Sequence, residues 1–90
     1  MTQTTWIDQK RNSDEIAAMF GELDHNVKII EEGLNVTIRL EDGAMVVTGE
    51  DYDVRSAKKV VEGMASVIKR QSFISQPEVQ YLVDMANKET

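Results

Sequence analysis

Histidine occurs once in the chain, at His25, beside Asp24 and close to Glu22. An imidazole is the side chain suited to moving protons near neutral pH. No nucleophile accompanies it, so His25 reads as a solvated residue in the first turn of a helix. Glu22, Asp24 and His25 carry metal-ligand atoms, yet adjacent side chains point apart and a metal site needs convergence. Glu50, Asp51 and Asp53 lack the alternating acids, central glycine and closing glutamate of a calcium loop. They suit a helix N-terminus, where the dipole favours negative charge. Gly21, Gly33, Gly43, Gly49 and Gly63 never cluster, and no Gly-x-x-x-x-Gly-Lys-Ser/Thr phosphate loop occurs. Cysteine is absent, which removes disulfides, thiolate zinc sites and thiol nucleophiles together. The expectation is a chain with no catalytic residue, no cofactor and no metal: not an enzyme.

Cations are few. Lys58-Lys59 and Lys69-Arg70 form two doublets, with Lys28 and Arg39 as singles. Lys58 and Glu62 stand four apart on one helix face and can pair, as on a solvated surface. Sixteen acids against ten bases give a formal charge of −6, which opposes generic attraction to a phosphate backbone. Trp6, Phe20, Tyr52, Phe73 and Tyr81 are too scattered for a stacking platform and read as core or docking residues. Met19, Met45, Met64 and Met85 fall on apolar stripes or strands and read as core filling.

The elements that position these residues follow from punctuation and period. Ninety residues with 41% hydrophobic and 29% charged side chains describe one small globular domain. The longest apolar run, Ile16 to Phe20, falls far short of the ~20 residues of a membrane span. Thr4 to Asp8 is β-branched and aromatic and reads as a short strand. Asn12 or Ser13 caps a helix carrying Ile16, Met19 and Phe20, with Asn12 and Glu15 approximating a capping box, and Gly21 ends it. Asp24 caps a second helix with Val27, Ile30 and Leu34 on one stripe, closed at Asn35. Val36, Ile38 and Leu40 then alternate with polar residues, so one strand face is buried. Asp42-Gly43 marks a hairpin, Ala44 to Thr48 returns, and Gly49 closes that strand. A long helix follows, with Val54, Ala57, Val61, Met64 and Ile68 inward and Lys69 and Arg70 at its C-terminal end. Ser75 and Glu78 form a second capping box, with Ile74 and Val79 as its hydrophobic staple and Pro77 inside the first turn. Val79, Leu82, Val83 and Ala86 supply that helix's apolar face. The expected fold is α+β, in the order β-α-α-β-β-α with an appended C-terminal helix. Residues 1–11 form an N-terminal segment holding the possible first strand, 12–70 the core, and 71–90 the appended capped helix.

From Phe20 to about Lys69 the chain resembles a KH domain. The resembling parts are Gly21-Glu22-Leu23-Asp24, Val27 to Leu34, Val36 to Leu40, Asp42-Gly43, Val46-Val47-Thr48-Gly49 and Val54-Arg55-Ser56-Ala57-Lys58-Lys59-Val60-Val61. It is similar, more closely, to the N-terminal KH-like domain of PhoH-family (phosphate-starvation-inducible, PhoH-like) proteins. Phe20-Gly21-Glu22-Leu23-Asp24-His25-Asn26-Val27 fits that family's Phe-Gly-x-x-Asp-x-Asn phrase. Ser75-Gln76-Pro77-Glu78-Val79 resembles the phrase opening its extra helix.

The resemblance implies a KH-like fold with a three-stranded, mostly antiparallel sheet. It also implies a cytoplasmic setting, a role in RNA metabolism and an adjacent ATP-binding ATPase domain in a longer protein. Candidate contacts to single-stranded RNA, with weak binding, are Gly21, Lys28, Ile30 and Arg39. In KH domains the Gly-x-x-Gly turn lets the backbone approach nucleotides closely. Here Asp24 replaces the second glycine and Glu22 adds a further carboxylate, so the turn Gly21, Glu22, Leu23, Asp24 is a degenerate one that repels phosphate. If Asp24 is a side-chain cap, Asp24→Gly costs a few tenths to about 1 kcal/mol. The alternative expectation is a KH-like scaffold that makes protein contacts, to an ATPase domain or between subunits of an oligomer, without nucleic acid.

Overall fold

A computed structural model describes residues 3–88; residues 1–2 and 89–90, the outer ends of the expected terminal segments, lie outside the described residues. Strand β1 (Gln3–Asp8) is followed by helix α1 (Ser13–Phe20), which opens on the expected box. The Asn12 side chain accepts the Glu15 backbone N–H at 2.9 Å, and the Glu15 carboxylate accepts the Asn12 N–H at 3.1 Å. A single 3-10 turn, Glu22–Asp24, leads into α2 (His25–Leu34). Asn35 ends α2 in the left-handed region at φ 58°.

Strands β2 (Thr37–Glu41) and β3 (Ala44–Glu50) form a hairpin around Asp42-Gly43, whose φ values of 51° and 78° are those of a type I′ turn. The sheet order is β1-β3-β2, antiparallel throughout. Gly49 does not close the return strand: it stays in the ladder opposite Thr4, and the strand runs on to Glu50. The long helix α3 (Asp51–Gln71) then leads to α4 (Gln76–Lys88). The Ser75–Glu78 box forms as expected, with Ser75 N–H to Glu78 Oε1 at 2.9 Å and Glu78 N–H to Ser75 Oγ at 3.3 Å. Ile74 and Val79, its two staple residues, are both buried.

One core lies between the sheet and the helices. Trp6, Ile38, Met45 and Val47 point into it from the strands, and Val27, Ile30, Val54, Val61, Met64, Val79 and Val83 close it from the helices. Helix α4 crosses α2 at Gly33, where an added Cβ would lie 2.5 Å from Val83 Cγ1. Asn87 Nδ2 also donates to the Gly33 carbonyl at 3.2 Å.

Several expected core residues are outside. Met85, Tyr52, Phe73 and Tyr81 are exposed, because their helix positions or loop face solvent. Leu40 keeps the inward phase of Ile38 but is 52% exposed, since it lies near the hairpin tip. Lys58 is held over the Trp6 ring, 5.7 Å from its centroid, and forms no ion pair with Glu62.

Candidate nucleic-acid interface

The turn between α1 and α2 is built from unusual backbone. Gly21 sits at φ 77°, ψ 177°, a region that only glycine occupies without strain. Its missing Cβ makes room for Asn26, whose Nδ2 would lie 2.7 Å from a Cβ built there. Asn26 is itself buried, so the glycine and the asparagine five residues on form one packed unit. Leu23 and Asp24 follow in the left-handed region, at φ 55° and φ 58°. That overturns the expected cap. Asp24 makes no side-chain hydrogen bond to α2, because a helix cap needs extended backbone and Asp24 has the opposite sign of φ. Its own N–H instead donates to the Gly21 carbonyl at 3.2 Å. Leu23 is 75% exposed.

Beside this turn lies a groove of about 430 Å³. Ser13, Ile16, Ala17 and Phe20 of α1 form one wall, Gly21 and Asp24 the end, and Leu40 with Gly43 of the hairpin the other wall. The lining is chiefly apolar and contains no Lys or Arg. Such a surface offers contact to a flat apolar group such as a nucleobase, and no cation to a phosphate.

Of the residues marked from sequence, Gly21 and Asp24 line the groove. Lys28, Ile30 and Arg39 do not. Lys28 is exposed on α2, while Ile30 is 2% exposed and packs in the core as part of the α2 stripe. Arg39 points to the other face of the sheet, where its Nε pairs with Glu41 at 2.9 Å. Glu22 and Leu23 stand exposed on the turn outside the lining. The groove residues that sequence reasoning did not assign are Ser13, Ile16, Ala17, Phe20, Leu40 and Gly43. Apolar spacing marked Ile16, Phe20 and Leu40 as core, and periodicity cannot tell a core wall from a groove wall.

His25 is engaged structurally: Gln76 Nε2 lies 3.0 Å from its Nδ1, joining the starts of α2 and α4. Asp51 pairs with Arg55 at 3.0 Å and accepts from Thr4 Oγ1 at 3.4 Å. Among the described residues, no three His, Asp or Glu side chains converge as a metal site would require, and no helix is long and apolar enough to cross a membrane.

No family model matches the chain, and no solved structure matches it significantly. A PhoH-like protein of Bacillus subtilis strain 168 is 30% identical over 78 residues, which make up 87% of this chain and 24% of that protein. The chain thus spans about a quarter of the relative's length, a partial and distant match to the PhoH family.

Proposed function

We propose that the chain is a non-catalytic KH-like domain of a cytoplasmic PhoH-like ATPase that contacts single-stranded RNA weakly, through bases rather than phosphates. The observation that carries this reading is the position and lining of the groove. It lies between the Gly21–Asp24 turn and the Asp42-Gly43 hairpin and is walled by Phe20 and Leu40 without any cation. The element order β-α-α-β-β-α and the partial match to a PhoH-like protein support the family side of the reading. The carboxylates of Glu22 and Asp24 supply the physical reason for weakness, since phosphates near the turn meet negative charge.

Titration of labelled single-stranded RNA at low salt, followed by amide NMR, tests the proposal. Shifts are expected at Phe20, Gly21, Leu40 and Gly43. Leu40→Glu should weaken binding at least tenfold, whereas Lys28→Glu with Arg39→Glu should alter it little. No shifts at hundreds of micromolar protein end the RNA reading.

The acidic turn and the apolar lining also favour a second reading, in which the groove receives an apolar side chain of the adjacent ATPase domain. Adding that domain, made separately, should then shift the same amides while RNA does not.

A further inference from the structure

The two outer edges of the sheet are finished differently. At β2, the Ile38 N–H donates to Glu31 Oε2 of α2 at 2.8 Å, so it points away from β3 and is already satisfied. Pairs in an antiparallel ladder alternate between bonded and non-bonded. Ile38 opposite Val47 is therefore a non-bonded pair, and Val47 turns its own N–H and C=O toward Trp6 of β1. By the same alternation Thr4, Trp6 and Asp8 bond inward to β3, while Gln3, Thr5 and Ile7 direct their amides outward. Among the described residues no element pairs with that outer edge. All three outward residues are uncharged and exposed, and Ile7 is 53% exposed. Natural sheets usually protect such an edge with Lys, Pro or a bulge. This one has none.

We infer that β1 is a homodimer interface, pairing antiparallel with β1 of a second copy about a two-fold axis at Thr5 to make one continuous six-stranded sheet. Opposite residues in a continuous sheet must share a face, and the outward amides must meet one another. The register centred on Thr5 meets both conditions and uses all three outward residues of each copy. It sets Thr5 against the partner's Thr5 and Gln3 against the partner's Ile7. On the helix side it sets Thr4 against the partner's Trp6. Asp51 stands beside Thr4, bonded to it at 3.4 Å, and Lys58 stands over Trp6. The axis therefore brings Asp51 of each copy toward the partner's Lys58, two opposite-charge contacts in a chain whose net charge is −6. That complementarity selects a second copy as the occupant over an arbitrary foreign strand.

Sedimentation from low micromolar to about 1 mM protein should show a reversible monomer–dimer equilibrium, the dimer having twice the 10.2 kDa chain mass. Thr5→Pro tests the edge. The Thr5 N–H makes no bond to β3, so the fold, checked by circular dichroism, is kept while association falls at least tenfold. Charge exchange tests the register. Asp51→Lys alone and Lys58→Asp alone should each be monomeric, while a mixture of the two variants forms heterodimers. Monomer at every concentration, a dimer indifferent to Thr5→Pro, or a mixture that fails to associate would each overturn the inference.

Discussion

At the scale of single residues, Asp24 carries the sharpest departure from pattern. An acidic residue ahead of a helical stripe resembles an N-cap, but its φ of 58° makes it a left-handed residue without a capping bond. Left-handed backbone costs a non-glycine residue about 1–2 kcal/mol, partly offset by the larger unfolded-state entropy of glycine. Asp24→Gly should therefore leave stability unchanged or raise it by up to about 1 kcal/mol. Urea unfolding with an unchanged slope measures it, and a lowered midpoint would restore the capping account. Residue type alone suggests a cap because it is local, whereas φ at this turn is dictated by Gly21 packing on buried Asn26. Asn35 and Asp42-Gly43 were legible for the opposite reason: their left-handed geometry serves a helix end and a two-residue hairpin, both with local signatures. Ile30, Lys28 and Arg39 show the limit on the site. Their identities suit a groove, but the twist of α2 and the pleat of β2 send them to the core, to open solvent and to the far sheet face.

At the scale of elements, both capping boxes were legible because each is closed by residues three apart. The second has an acid-sensitive consequence. Hydrogen bonds from the Ser75 backbone and hydroxyl, then from Gln71, with Arg70 nearby, hold the Glu78 carboxyl below its ordinary 4.5. A lowered folded-state value means the stabilisation is complete above about pH 4.5 and is lost as pH falls through the folded value. Glu78→Gln should thus lower stability at neutral pH and converge with the parent chain in acid, which flattens the acid limb of the stability profile. Thermal melts at stepped pH read this, and an unchanged acid limb would remove Glu78 as its source. The end of β3 was less legible. Gly49 looked like a terminator, but the close approach of Val36, 3.1 Å from a Cβ built on Gly49, makes a small residue necessary within the strand.

At the scale of the whole molecule, α4 belongs to the same apolar cluster as the sheet. Ile74, Val79, Val83 and Ala86 are all buried in it. Each large apolar side chain withdrawn from water contributes about 1.5–3 kcal/mol, and a small domain has only about 5–15 kcal/mol in total. A chain ending at Ser72 should therefore lose its cooperative thermal transition, read by circular dichroism; retention of a sharp transition would show α4 to be dispensable. The asymmetry of the sheet's two edges has a consequence for solubility. A sheet open on both sides can template the next molecule indefinitely, which is the geometry of fibres. Here the Glu31 carboxylate occupies the Ile38 amide, so β2 offers an interrupted ladder. Growth by edge addition has an open start at β1 and an obstructed continuation at β2. A single glutamate on a neighbouring helix thereby opposes chain growth and favours an assembly through β1 that stops at two.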